Sequence, residues 1–168
     1  MKRTAAAIVF LLINIFIFNS CIMKGEDMFF YTDDKIAENR MEQVVKALEE
    51  QDKVALKNMF SKQAFNESTD FDENLNRLFD IFQGELKSYD FNYGPVSEKI
   101  EYGKREKEIK VYFNIDIQEE SYSFFLVDYP TNTLNPDNKG LYTLRVTNFE
   151  ENLSWQEKKV PGICIMEK

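Results

Sequence analysis

Apolar residues in the segment that follows residue 32 recur at intervals of three and four, which is the spacing of an amphipathic helix. Asp33 and Asp34 can cap this first helix near Lys35, because acidic side chains stabilise the positively charged end of a helix. The predicted buried stripe contains Ile36, Ala37, Met41, Val44, Val45 and Leu48.

Two shorter helical patterns follow the first one. Asp52 is placed to cap a second helix that ends near Phe60. A third helix is predicted to begin at Asp70, with Glu73 at the spacing of a capping box. The predicted buried face of this third helix contains Phe71, Leu75, Leu78, Phe79 and Phe82.

In the second half of the chain the hydrophobic period changes to two, which predicts strands with one buried face. Apolar and polar residues alternate without a break from Ile109 to Ile117. Pro130 is expected to end the strand that follows. The other predicted strands are residues 89–102, 121–129 and 141–149, with residues 163–166 closing one edge of the sheet.

Helices followed by a run of strands are typical of an α+β fold in which the helices cover one face of an antiparallel sheet. We therefore predict three N-terminal helices packed on a curved antiparallel sheet of about four to five strands. The chain shows no internal repeat and no low-complexity linker, so residues 33–168 are predicted to form a single domain.

The beginning of the chain has the layout of an export signal. A basic start precedes an apolar run from Ala5 to Phe18, and Cys21 follows shortly afterwards. We predict that residues 1–20 are a lipoprotein signal peptide, that Cys21 carries acyl chains such as palmitate, and that residues 21–32 form a tether. The domain is then expected on the extracytoplasmic face of the cell membrane, with the membrane as a partner through the lipid on Cys21.

Two other interpretations of this segment stay open. Residues 5–23 are long enough to cross about 30 Å of hydrocarbon as an uncleaved anchor, although Asn14 and Asn19 would be buried at a cost. The segment can also be a buried helix of a cytosolic fold. That interpretation is disfavoured because no later segment pairs with so continuous an apolar helix.

Several segments resemble known families. Residues Phe18-Asn19-Ser20-Cys21 resemble the bacterial lipobox, and Asp52–Phe60, as the second of three helices before the strands, resembles the cone-shaped nuclear-transport-factor-2-like (cystatin-like) fold. Gly140-Leu141-Tyr142 and Pro161-Gly162-Ile163 resemble segments of uncharacterised Gram-positive bacterial lipoproteins that carry a domain of unknown function. The cone fold implies a pocket between sheet and helices, which in the related ketosteroid isomerases holds an acid/base pair.

The chain is acidic, with a formal net charge of −8 at pH 7 and no histidine. Nucleic-acid binding needs a basic surface and is not expected. The acidic charge also disfavours electrostatic docking of the whole domain on anionic lipid, so the lipid tether is expected to do the anchoring. The absence of histidine excludes any member of the cone class that depends on a histidine as a model for catalysis.

Four side chains are the candidates for lining the implied pocket. Asp128 shares its predicted inward parity with Tyr122, and Asn148 shares the inward parity of Tyr142 on the next strand. Apolar surroundings could raise the pKa of Asp128 toward the range of a general base. An aspartate at a strand end is also typical of a solvated turn, so Asp128 is only a candidate and no catalytic residue is assigned.

No metal site and no cofactor are predicted. Residues 70–81 alternate in part like a calcium-binding loop, but Leu75 stands where such a loop needs glycine and Ile81 stands where it needs glutamate. Cys164 lies between Ile163 and Ile165, which is typical of a small packed thiol.

The leading hypothesis is a non-catalytic domain that binds a small apolar ligand or an envelope protein. The alternative is an enzyme of the ketosteroid-isomerase type that uses Asp128 without a histidine. A passive surface domain with no cavity is the third possibility.

Replacing the predicted lipid-bearing thiol tests the export interpretation. Cys21→Ala is expected to abolish fatty-acid labelling and to move the protein out of the membrane fraction, because the thiol is the group that is acylated. Metabolic labelling followed by fractionation measures both effects, with Cys164→Ala as the control that keeps its label. Labelling that persists in Cys21→Ala would show that the lipobox assignment is wrong.

Overall fold

A computed structural model describes residues 33–83, 86–117, 120–148 and 159–166. The predicted signal peptide, Cys21 and the tether lie outside these residues. The helices are α1 (Asp33–Glu49), α2 (Lys53–Met59), α3 (Lys62–Glu67) and α4 (Phe71–Ile81). The strands are β1 (Leu86–Glu101), β2 (Lys104–Ile117), β3 (Glu120–Asn132), β4 (Gly140–Asn148) and β5 (Gly162–Met166).

The described part of the chain has four helices, and the prediction of three was wrong. The additional helix, α3, has six residues and lies between the predicted second and third helices. It is too short to show a helical period, and Ala64 is its only buried residue. Ser61 starts the helix, since its hydroxyl accepts a hydrogen bond from the Ala64 N–H at 3.1 Å.

The predicted cap of α2 is confirmed. The predicted position at which α4 begins is also confirmed, but the capping hydrogen bond is not formed there. The Asp52 carboxylate accepts a hydrogen bond from the Ala55 N–H at 2.8 Å. Asp70 occupies the cap position of α4, but its side chain makes no capping hydrogen bond. It accepts a hydrogen bond from the Thr69 hydroxyl at 3.0 Å, so the capping role predicted for the Asp70 side chain is not formed.

The five described strands form one sheet in the order β1-β2-β3-β4-β5. The first four strands pair antiparallel, as predicted. The fifth strand does not follow the antiparallel prediction: β5 lies parallel to β4, with Gly162 opposite Thr143. A parallel pair cannot be a two-residue hairpin, so β4 and β5 are not joined by a tight turn.

The helices cover one face of the sheet, which we call the inner face. The alternation predicted for β2 is confirmed, because Ile109, Val111, Phe113, Ile115 and Ile117 are all buried. They join Phe124, Leu126, Leu144 and Val146 from the neighbouring strands and the apolar stripes of the helices in one core. A second, smaller cluster on the opposite, outer face consists of Phe125, Val127 and Tyr129.

Strand β3 continues past Pro130 to Asn132, so the prediction that this proline ends the strand was wrong. The ladder between β2 and β3 shifts register between Lys107 and Ile109. Pro130 falls within this irregular stretch, and its pairing with β4 has already ended at Tyr129. A bulge tolerates a residue that cannot donate a backbone hydrogen bond.

The segment between α2 and α3 is attached directly to the start of β4. Phe60 forms an isolated parallel bridge with Leu141. The Ser61 N–H donates to the Leu141 carbonyl at 2.8 Å. Gly140 lies at the contact with φ +121°, and a Cβ added there would be 2.8 Å from the Met59 carbonyl oxygen.

Among the described helices, none has the length and hydropathy of a membrane-spanning segment.

Gly140→Ala is expected to lower the free energy of unfolding by at least about 2 kcal/mol, because both the backbone conformation and the close contact oppose a side chain. Gly103→Ala is the matched control: Gly103 also has positive φ (+77°), but an added Cβ would meet no atom within 4 Å. Gly103→Ala should lower the free energy of unfolding by only about 1 kcal/mol. Urea denaturation measures both variants, and equal losses would contradict the importance of the contact at β4.

Candidate functional site

Asp128 lies on the inner face of the sheet, opposite Ile109 on β2 and Leu141 on β4. It is 1% exposed, so its carboxylate is not at a solvated strand end. The Oδ2 atom lies 3.1 Å from Nε of Arg40 on α1, whose side chain is 20% exposed. The sequence indicated the inward direction of Asp128 correctly, but the partner from α1 was not predicted.

Burial raises the pKa of Asp128, and the positive charge of Arg40 opposes this rise. Within the described residues, Oδ1 of Asp128 has no hydrogen-bond partner. Arg40 Nη1 donates to Gln43 at 3.1 Å, toward the solvent side of α1. The pair therefore joins the buried Asp128 carboxylate to a partly exposed guanidinium group, and the carboxylate stays enclosed between the helix and the sheet.

A second ion pair lies near the beginning of α1. The Asp33 carboxylate contacts the Lys107 ammonium group on β2. Lys107 has the same parity on β2 as Ile109, which places it on the inner face. Two charge pairs thus attach the first half of α1 to one end of the sheet.

The other predicted pocket residues do not gather around Asp128. Tyr122 is six residues away on β3, about 20 Å along the strand, and its hydroxyl donates to Glu120. Asn148 is the cross-strand partner of Tyr122, and its side chain is outside the described part of the structure. Binding of a ligand by these residues stays a prediction.

Tyr142 follows Leu141, which is the cross-strand partner of Asp128. The Tyr142 hydroxyl does not contact Asp128; it donates to Glu67 on α3 at 2.5 Å. A register shift between Val127 and Asp128 puts Leu141 in the buried core. Tyr142 is thereby the extra residue of the bulge, which the predicted parity did not include. Burial, together with hydrogen bonding to Glu67, raises the pKa of Tyr142 to about 12.

A further charged cluster occupies the outer face. The Tyr129 hydroxyl donates to Glu108 at 2.7 Å, and Lys159 contacts the same carboxylate oxygen. Burial and the neighbouring Glu108 raise the pKa of Tyr129. Thr143 donates to the Val160 carbonyl at 2.8 Å, so residues 159–160 are held against this face. These contacts attach the chain before β5 to the sheet.

A surface groove lies between the turn that joins α3 to α4 and strand β5. Its volume is about 320 Å³, at the lower end of the range of small-molecule sites. Asn74 closes one side, because its amide donates to the Ile163 carbonyl at 3.0 Å. The lining residues are Glu67, Ser68, Thr69, Asp70, Asn74, Val160, Pro161, Ile163, Cys164 and Ile165.

The groove combines an apolar wall with an acidic rim. Ile163 and Ile165 come from β5, and Cys164 between them is a half-buried free thiol. Two acidic residues, Glu67 and Asp70, are among the lining residues on the opposite side. Hydrogen bonds from Tyr142 and then Gln63 lower the pKa of Glu67, which keeps this carboxylate ionised. The arrangement can hold a molecule that has an apolar body and a positive group.

Sequence reasoning did not find this groove. Residues 163–166 are predicted to close one edge of the sheet and Asp70 to start a helix, but nothing in the sequence joins these two segments. Gly162 permits the approach: it has φ +82°, and an added Cβ would lie 2.6 Å from the Ser68 hydroxyl oxygen. A glycine before an apolar run is the local signal in the sequence, and it does not identify the contact.

The fold and the groove define an α+β domain with a surface groove beside β5. Residues 43–151, about two thirds of the chain, match a family described as a domain of unknown function (DUF5104). The chain belongs to this family. A comparison with curated proteins found no significant match.

The buried pair predicts a pH-dependent stability. A carboxyl group whose folded pKa is raised contributes stability that is complete below its unfolded pKa, about 3.9. That contribution is lost as the pH rises through the folded pKa. Arg40 holds down the pKa of Asp128, so Arg40→Met is expected to raise this pKa further. Stability is then lost over a pH range that extends to higher values. At neutral pH the variant is expected to lower the free energy of unfolding by on the order of 3 kcal/mol.

Urea denaturation between pH 4 and pH 8 measures this effect. The difference in the free energy of unfolding between the native protein and Arg40→Met should shrink toward pH 4, where Asp128 becomes protonated. The double variant Arg40→Met/Asp128→Asn should recover most of the loss, since no unpaired charge is left in the core. A deficit that does not change with pH, or that the double variant fails to relieve, would contradict the assignment.

Proposed function

We propose that this protein is a lipid-anchored extracytoplasmic binding domain whose ligand lies in the groove between the α3–α4 turn and β5. The apolar run before Cys21 supports the anchor. Helices packed on one face of a mainly antiparallel sheet support a relation to the nuclear-transport-factor-2-like cone. The resemblance to Gram-positive lipoproteins supports the same compartment.

The observation that carries the binding proposal is the chemistry of the groove. Its two walls come from segments far apart in the sequence, and the Asn74–Ile163 hydrogen bond holds them together without filling the space. A preformed groove costs little ordering on binding, which supports its use as a ligand site. The ligand is a small amphiphile with a positively charged group.

The charge of the ligand follows from the rim. An ammonium group between Glu67 and Asp70 would form charge-assisted hydrogen bonds, and an apolar body would lie along Ile165 of β5, which is partly exposed. An anionic ligand would meet two carboxylates and be repelled. The enzyme alternative has weaker support, because Asp128 is enclosed and paired with Arg40, so a substrate could not reach its carboxylate without opening the core.

Octylammonium is a suitable probe for this proposal, and 1-octanol is its uncharged control. Titration followed by NMR is expected to show saturable shifts at Asn74, Cys164 and Ile165 with octylammonium and much weaker shifts with octanol. Asp70→Asn should weaken octylammonium binding at least fivefold, which is about 1 kcal/mol. Because Asp70 makes no capping hydrogen bond, this variant should fold normally.

Asp72→Asn is the matched control for this experiment. It removes the same charge from the first turn of the same helix, but Asp72 is outside the groove and pairs with Lys57 at 2.6 Å on the surface. Its octylammonium affinity should stay within twofold of the native value. Equal losses in the two variants, or equal shifts with octanol, would count against the charged groove as the ligand site.

A further inference from the structure

The hairpin that joins β1 to β2 exposes apolar side chains at its tip. Tyr102 and Gly103 form a two-residue turn with φ values of 49° and 77°, as a type I′ turn requires. Tyr102 is fully exposed, and Ile100 is 68% exposed. The described hairpin therefore ends in an aromatic and an aliphatic residue that face solvent.

Tyrosine is an unfavourable residue at this position of the turn. Asn, Asp and Gly are the usual first residues of a type I′ turn, because a bulky side chain in the left-handed region costs about 1–2 kcal/mol. The exposed Tyr102 ring is not packed in the domain core, so the fold does not compensate this cost. An interaction outside the domain accounts for the side chain better than turn formation does.

Long basic side chains surround the apolar tip. Lys99, Lys104 and Arg105 are exposed, and the carboxylates of Glu98, Glu101 and Glu106 lie among them. The tip is thus close to neutral on a chain whose net charge is −8. Aromatic residues flanked by lysine and arginine are typical of surfaces that lie at the headgroup level of a bilayer.

The tip and the start of the domain lie at the same end of the sheet. Asp33, the first residue of α1, contacts Lys107 on β2. Lys107 is three residues after Lys104, which is about 10 Å along a strand. The twelve residues from Cys21 to Thr32 can span at most about 40 Å. A lipid on Cys21 would therefore be joined to the domain at the end that carries the tip.

We propose that the β1–β2 hairpin tip contacts the phospholipid surface and orients the domain, with Tyr102 and Ile100 at the level of the headgroups and the nearby cations beside the phosphates. This inference rests on the proposed anchoring at Cys21. The acidic remainder of the domain is repelled by anionic lipid, so the tip is the part of the surface that approaches it.

Tyr102→Trp converts the tip into a fluorescent probe with the same aromatic character. Val54→Trp is the matched control, because Val54 is also 68% exposed. It lies in α2, which follows the C-terminal end of α1, away from the Asp33 end. Both variants are made in the full chain, with the native Trp155 as a common background.

The proteins are bound to vesicles of phosphatidylcholine and phosphatidylglycerol, with and without bromine on the acyl chains. Brominated lipid is expected to quench the emission added by Tyr102→Trp at least twofold, and to leave that added by Val54→Trp unchanged. If the two added emissions are quenched equally, the contact of the tip with lipid is overturned.

The mass of the mature protein separates this inference from the anchor. A mass that includes diacylglycerol on Cys21, together with no selective quenching, retains the proposed anchoring and overturns the role of the hairpin. Selective quenching in a chain without lipid on Cys21 supports the hairpin and overturns the anchor.

Discussion

Strand β3 is buried on both faces from Ser123 to Tyr129, and this burial organises the rest of the described domain. Phe124 and Leu126 belong to the core under the helices, while Phe125 and Val127 belong to the cluster on the outer face. A strand without a solvated face must satisfy its backbone hydrogen bonds laterally, which β2 and β4 do. The positions of the helices, the neighbouring strands and the segment before β5 all follow from covering this strand.

The Arg40–Asp128 pair places a charged side chain in this core. An isolated buried carboxylate is unfavourable, and replacing such a pair by apolar residues often stabilises a protein. The pair has a geometric consequence, since Arg40 can face the Asp128 carboxylate only where α1 lies over this part of β3. Together with the Asp33–Lys107 contact, it specifies where α1 crosses the sheet.

Bulges account for most of the differences between the predicted and observed strands. The alternation from Ile109 to Ile117 was predicted correctly because β2 has no extra residue there; the register shift opposite Ile109 and Val111 lies in β1. Further along the sheet, one extra residue in the β4 ladder separates Tyr142 from the buried parity, and an irregular stretch allows Pro130 to lie within β3. A parity argument carries no information about such insertions, because they depend on the partner strand.

The sequence by itself determined the class of the fold, the cap at Asp52, the start of α4 at Asp70, the alternating strands and the inward direction of Asp128. These features follow from the period and the capping chemistry of neighbouring residues, which are local properties. Only the tertiary structure decided that Arg40 neutralises Asp128, that β5 is parallel, and that α4 and β5 enclose a groove. Asn74 and Ile163 are 89 residues apart, and their contact is set by the packing of the whole domain. No pattern within either segment can specify a partner at that distance, because pairing depends on which surfaces the complete fold brings together.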